Sequence, residues 1–414
     1  MSEPGWRSWA GAHRVDLLLF GFTLFAYALS SGSLLAHQSQ APHFVWQADA
    51  FLHGRLDVAR PPNLNDWVFE RGRWYVSFPP FPAVLMMPFV AAAGLDLNDV
   101  TFTLPFAAAN VSLLYLLLRR IQRVEGGTRS EWDHAVFALL FGFGTLAWSC
   151  SIRGEVWFTA EVVGVTLTLL YLHAALRGQH PFWAGIALAC GTITRAPILF
   201  SAVFFLLEAV SEGGGLESRN LRLAFRDPHR KKEIAKRLAL FAAPIAAIAI
   251  PVAWMNDARF GNPFEFGHSQ LYANRVNADI RAYGLFSFHY LPRNVRSAFL
   301  LLPRIQLHPL RLDYDPNGMS LFVTTPLFAL LFFPRRRPRL WTPLWLAAAA
   351  VAMPGFFYQN NGWQQFGFRF SLDYTPYLVL LLAISGRALD GLFWLLAAAG
   401  VAVNAWGAAV FNRP

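Results

Sequence analysis

Residues 238–254 read LALFAAPIAAIAIPVAW, an apolar run without a charge, and the stretch before it, Arg219–Arg237, is the most basic in the chain. A bilayer core takes about 20 apolar residues per helix. Lipid offers backbone N–H and C=O groups no partner, so a run of this kind must be a helix. Comparable runs recur near 15–35, 101–118, 135–151, 157–175, 181–194, 196–210, 319–333, 340–357, 374–385 and 390–410. The reading is therefore an all-α integral membrane protein, a polytopic bundle of about eleven transmembrane helices. Composition agrees: 55% of the 414 residues are hydrophobic and 14% charged, where a soluble domain carries about a quarter charged residues. The alternation of an outer-membrane barrel is absent.

The formal net charge is +10. In a soluble protein that would point to nucleic acid. Here the basic residues sit between the apolar runs, where Lys and Arg hold loops on the cytoplasmic side. Arg7, His13 and Arg14 place the N-terminus inside, as do Arg119, Arg120 and Arg123, Arg219–Arg237 and Arg335–Arg339 for their own loops. Residues 37–78 and 255–318 then face outward, the C-terminus ends outside, and the chain is a single multi-pass domain, 1–414, of the plasma (inner) membrane. Residues 79–95, PPFPAVLMMPFVAAAGL, are broken by prolines and stay at the outer surface. With Phe44, Val45, Ala48, Phe51 and Leu52 at helical spacing, the first outer loop spans 37–96 and carries juxtamembrane helices. The run from Val15 lacks a small-residue cleavage site and reads as a retained helix. Cys150 and Cys190 lie in apolar segments and define no disulfide framework.

The polar residues that need explaining lie on the outer side. The first loop holds Asp49, in HFVWQADAFLHGRL, Asp57 just after it, and Asp66, in the irregular NLNDWV. Asp57 reads as a helix-end or solvated charge, and either Asp49 or Asp66 has the chemistry to deprotonate an acceptor hydroxyl. Arg195, in ITRAP, has no carboxylate in its own segment, and arginine suits bidentate contact with phosphate. Arg153 and Glu155 flank a tight connection, and Glu161 lies about one and a half turns into the next helix. These three either pair with one another to hold spans together or serve the site. Segment 359–376, QNNGWQQFGFRFSLDYTP, combines Gly362 and Gly367 with Trp363, Gln365 and other amides suited to hydroxylated groups, and places Arg369 at phosphate-headgroup height. The second outer loop holds Glu265, His268 and His289. The histidines lack ligand spacing such as HExxH, so no metal is implied and a divalent ion is left open.

In chain order, HFVWQADAFLHGRLDV, NDWVFERGRWYVSFPPFPAVLMMPFVAAAG, GFGTLAWSCSIRGEVWF, GTITRAP, FGNPFEFGHSQLY, GLFSFHYLP, SLFVTTP and QQFGFRFSLDYTPYLVLLLA together resemble bacterial polytopic glycosyltransferases of the GT-C superfamily. The likeness is to the branch of protein O-mannosyltransferases and lipid A aminoarabinose transferases. The resemblance implies a membrane enzyme that takes a sugar from a polyprenyl-phosphate donor and passes it to a glycan, lipid or protein acceptor at the outer face. It implies an acidic base in the first outer loop and arginines on the donor phosphate, here Arg369 and Arg195. Relatives carry acidic residues at the very start of that loop. This chain has Ser39–Gln40–Ala41–Pro42–His43 there, which leaves Asp66, preferred for its irregular segment, and Asp49. Arg153, Glu155, Glu161, Gln365 and His268 are supporting candidates. A transporter or flippase of a lipid-linked or polar solute accounts for the spans but less well for the large outer loops. A non-catalytic assembly subunit with the same fold accounts for the missing early carboxylate. No GxGxxG unit or Walker A motif points to a soluble nucleotide fold.

Overall fold

The computed structural model describes residues 13–211, 227–271, 274–308 and 310–411. Arg7 and the first part of the 219–237 cluster lie outside the described residues.

The apolar runs form helices with ordinary start and stop signals. The first is α1 (Arg14–Ser31), followed in the first outer loop by α2 (His43–Leu52). A hairpin, β1 (Trp67–Glu70) and β2 (Arg73–Val76), leads into α3 (Phe81–Ala93). Next is α4 (Asp99–Glu125), whose N-cap Asn98 accepts from the Val100 and Thr101 N–H groups, as an N-cap side chain should. Ser130 and Asp133 make a capping box on α5 (Glu131–Phe143). The run expected at 135–151 is not continuous. The Thr145 hydroxyl donates to Phe141 O (2.6 Å) and accepts from Ala147 N (3.2 Å), which diverts the backbone from the helix and leaves α6 (Ala147–Ser151) as a separate short piece. The bundle continues with α7 (Val156–Ala175), α8 (Pro181–Thr192), α9 (Ala202–Ser211) and α10 (Pro228–Phe260). The second outer loop contains α11 (Asn274–Tyr283), α12 (Leu291–Phe299) and a second hairpin, β3 (Arg304–Leu307) with β4 (Leu310–Asp313).

In the run expected at 319–333, α13 (Leu321–Thr324) stops before Pro326, and the chain resumes as a 3₁₀ helix, Pro326–Phe332. The residue before a proline is pushed out of the α region. The chain ends with α14 (Trp341–Phe357), α15 (Thr375–Ile384) and α16 (Gly391–Val410).

Five helical stretches among the described residues are long and apolar enough to cross a membrane: Arg14–Ala36, Asp99–Glu125, Val156–Gly178, Pro228–Phe260 and Gly391–Val410. Five more apolar helices are shorter, at 10–17 residues. This is a multi-pass membrane protein. The all-α expectation needs one correction, because both large loops contain an antiparallel hairpin. In the first, Arg71 and Gly72 form the two-residue turn with φ of 50° and 76°, the positive pair that matches the twist of the flanking strands.

The segments expected on the outer side meet at one end of the bundle. Backbone bridges join Val68 to Leu271, Phe286 to Tyr358 and Asn317 to Gln365. The 27 residues of α4 span about 40 Å. At its start, Asp99 accepts from Ser39 N (2.8 Å) and Ser39 Oγ (2.5 Å) of the first loop. At its end, Glu125 accepts from Arg177 Nε (3.1 Å) and Arg339 Nη2 (2.7 Å), and Glu208 accepts from Arg339 Nη1 (2.6 Å). The basic clusters around residues 119–129 and 335–339 therefore share the opposite end. Between the two ends, helices pack closely where side chains are small: a Cβ on Gly185 of α8 would sit 2.2 Å from the Phe241 carbonyl oxygen of α10.

Candidate functional site

Residues of five segments far apart in sequence enclose a cavity of about 680 Å³. Asp66 enters from the first loop, Trp157 from the first turn of α7, Arg195 from the turn after α8, His268 from the second loop, and Tyr358, Arg369 and Asp373 from the segment before α15.

Asp66 directly precedes β1 and has a φ of 58°, a left-handed conformation that Asp adopts more readily than most residues. Its Oδ2 accepts from Trp157 Nε1 (3.1 Å). The residue before it is tied down by His43 of α2, whose Nε2 donates to Asn65 O (2.9 Å) and whose ring stacks on Trp67 at 4.2 Å. Burial lowers the His43 pKa to about 4, so His43 is a neutral spacer. Burial also raises the Asp66 carboxyl above its ordinary range, while the Trp157 N–H and the Arg369 charge pull it back down.

The two arginines belong to one buried network. Arg195 donates through Nε to Asp373 Oδ1 (2.5 Å) and through Nη2 to Asp373 Oδ2 (2.7 Å), a bidentate pair. Its remaining nitrogen lies 3.6 Å from Glu161 Oε1. Arg369 donates through Nη1 to the same Glu161 oxygen (3.0 Å) and through Nε to Gly362 O (3.1 Å). Its Nη2 has no hydrogen-bond partner among the described residues. The Phe370 ring lies against both guanidinium groups, at 5.5 Å from Arg195 and 5.1 Å from Arg369. Gln365 sets the backbone of this segment: its Nε2 donates to Asn317 O (2.7 Å) and Asn361 O (2.6 Å), and its Oε1 accepts from Arg369 N (2.8 Å). Two arginines thus face two carboxylates, with Asp66 as a third carboxylate nearby.

Asp66, Arg195, Arg369 and His268 all line the cavity. Burial lowers the His268 pKa to about 4, so it contributes a neutral ring, edge-on to Phe78 at 5.6 Å. Asp49 is placed elsewhere: it is absent from the cavity wall and lies 3.4 Å from both His53 and Arg55. Asp57 pairs with Arg73 at 3.4 Å. Arg153 and Glu155 pair with each other (2.6 Å), and Arg153 also donates to Phe411 O (3.0 Å). Glu161 does not join that pair, contrary to the mutual pairing weighed from sequence; it joins Arg369 and Arg195. Gln365 acts from behind the cavity wall. Asp373, Trp157 and Phe370 escaped the sequence reading. The signal for Asp373 was available, one helical turn after Arg369 in the same amide-rich segment. Among the described residues no group of three or more His, Cys, Asp and Glu is arranged to hold a metal ion.

No protein-family model and no curated protein matches the chain. Two solved structures do, both of Archaeoglobus fulgidus oligosaccharyltransferase. The apo form is 13% identical with a TM-score of 0.52, over 95% of this chain and 56% of that one. The form tethered to an acceptor peptide containing the NVT sequon is 14% identical with a TM-score of 0.48, over 98% and 56%. The fold is therefore like that of the apo oligosaccharyltransferase, and the chain spans little more than half the length of that protein.

Proposed function

We propose that the protein is a membrane glycosyltransferase that moves a sugar from a polyprenyl-phosphate donor to an acceptor hydroxyl in this cavity. The observation that carries the proposal is the meeting of Asp66, Arg195 and Arg369, from three segments far apart in sequence, on one cavity wall. A polyprenyl-linked sugar stays in the bilayer, so its phosphate arrives at the membrane boundary, where Arg369 lies. The unpaired Nη2 of Arg369 receives that phosphate. Arg195, whose fork is already committed to Asp373, holds Glu161 and through it orients Arg369. Asp66 takes the proton of the acceptor hydroxyl as the acceptor oxygen bonds to the anomeric carbon. The bond from that carbon to the phosphate oxygen breaks, and its electron pair leaves with the phosphate, stabilised by Arg369.

A transporter needs an unblocked route to the far end of the bundle. There Glu125, Arg177, Glu208 and Arg339 tie four segments together, which favours a one-sided site.

Binding of polyprenyl phosphate to the purified protein tests the assignment. The Arg369→Ala variant is expected to lose roughly 2–5 kcal/mol of binding, the range for truncating one member of a buried charge pair. Unchanged affinity would remove Arg369 from the donor site.

A further inference from the structure

The hairpin 304–313 takes no part in the cavity, and its two faces differ. The register sets Ile305 opposite Leu312 and Arg304 opposite Asp313. Side chains alternate across a strand and directly paired residues share a face. Ile305, Leu307 and Leu312 therefore lie on one face, and Arg304, Gln306 and Asp313 on the other. The polar face is exposed as well, and Arg304 on it donates to Asp315 Oδ2 (2.5 Å), which follows the hairpin, while Asp315 accepts from Asn317 N (2.9 Å). The apolar face is bare, with Ile305, Leu307 and Leu312 exposed at 64%, 71% and 48%. A lone two-stranded hairpin is marginal in water, and a covered face is what sustains one.

What covers it follows from what it adjoins. Leu300 and Leu302, immediately before β3, are exposed at 67% and 66%. Phe299 touches Phe322 (centroids 6.1 Å apart), and Phe322 touches Phe332 (5.9 Å). Phe332 is itself exposed, on the 319–333 run. The bare face of the hairpin is thus the continuation of an apolar strip that runs down the side of the bundle. Exposed Arg296 stands beside it, suited to headgroup phosphates.

We propose that the hairpin lies on the membrane, with Ile305, Leu307 and Leu312 in the boundary between headgroups and acyl chains. It thereby anchors the second loop beside the cavity, to which it connects through the Asn317–Gln365 bridge. The occupant of this face is the bilayer in which the helices already sit, and not a protein partner. The proposal does not depend on the reaction assigned to the cavity.

The test uses the full-length protein in single-copy nanodiscs of phosphatidylcholine with a minor share of phosphatidylglycerol. An environment-sensitive fluorophore is attached to Leu307→Cys and, on the opposite face, to Gln306→Cys; the native Cys150 and Cys190 are buried. Position 307 is expected to be quenched by lipid carrying a doxyl group near the headgroup and shielded from aqueous iodide, consistent with a depth of about 5–10 Å. Position 306 is expected to show the reverse. Leu312→Cys repeats the measurement on the same face should the label at 307 distort the hairpin. Equal iodide quenching at 306, 307 and 312 would overturn the proposal. So would shielding of 307 that appears only when a disc holds two copies, which would assign the face to self-association.

Discussion

Asp66 is held by Trp157, and Arg369 by Glu161, Gly362 and Gln365. Asp66→Asn keeps the shape and the acceptor for Trp157 but removes the basicity. Turnover should fall on the order of a hundredfold or more, with donor-lipid binding retained; loss of binding in parallel would reassign Asp66 to donor recognition. A carboxylate base works ionised, and burial raises the Asp66 pKa. Activity should therefore be lost as pH falls, through a limb that lies above the ordinary carboxylate range. The Trp157 N–H favours the ionised form, so Trp157→Phe should move that limb to still higher pH. A pH–rate profile checks this, and a limb that stays put or moves down contradicts it. Asp373→Asn leaves Arg195 short of its bidentate partner in a buried place and should destabilise the protein by roughly 3–5 kcal/mol, seen as thermal unfolding in detergent. Asp66, Arg195 and Arg369 all line the cavity, and their interest was legible in the sequence, from an irregular loop, a segment with no carboxylate of its own and an amide-rich lead-in. The pairing of Arg195 with Asp373 was not, because the two are 178 positions apart and only packing brings them together. Asp49 misled because its partners, His53 and Arg55, lie just after its own helix, and Asp49 is not on the cavity wall.

Among the elements, the positions of the helices were legible and their continuity was not. Length and hydrophobicity mark a run as helical, but Thr145 and Pro326 act locally and divide runs that composition alone joins. The hairpins were missed because each is a few residues long inside a loop rich in charge, where an alternation of period two is easily masked. The packing of α8 on α10 depends on Gly185. Gly185→Ala pushes a methyl into the Phe241 carbonyl and should cost about 1–3 kcal/mol, as overpacking does. Thermal unfolding in detergent measures it, and an unchanged midpoint would mean that the two helices are free to separate. In the 359–369 segment, Gly362 has a φ of 97°, and a Cβ there would meet Gln365 Oε1 at 2.3 Å. Its own carbonyl accepts from Arg369 Nε, so the glycine and the arginine are set by one turn.

At the scale of the whole molecule, the sorting of charge predicted which loops share an end, and the bridges between the three cavity loops agree with that sorting. We propose that the far end, with its excess of Lys and Arg, faces the cytoplasm. Impermeant-thiol labelling in intact cells tests it: Asn65→Cys, exposed on the cavity side, should react, and Thr128→Cys, exposed between α4 and α5, should be protected. The reverse pattern would invert the map. The number of regular spans was the least legible feature, because a run of apolar residues gives no sign of how much of it leaves the helix. The proposed reaction is glycosyl transfer from a lipid phosphate at the cavity of Asp66 and Arg369. Its most direct test is the release of polyprenyl phosphate from a set of polyprenyl-phosphate sugars by membranes containing the wild-type protein or Asp66→Asn. Release by the wild type from at least one donor is expected, with a rate lower on the order of a hundredfold or more in the variant. Equal release by the two proteins would contradict it.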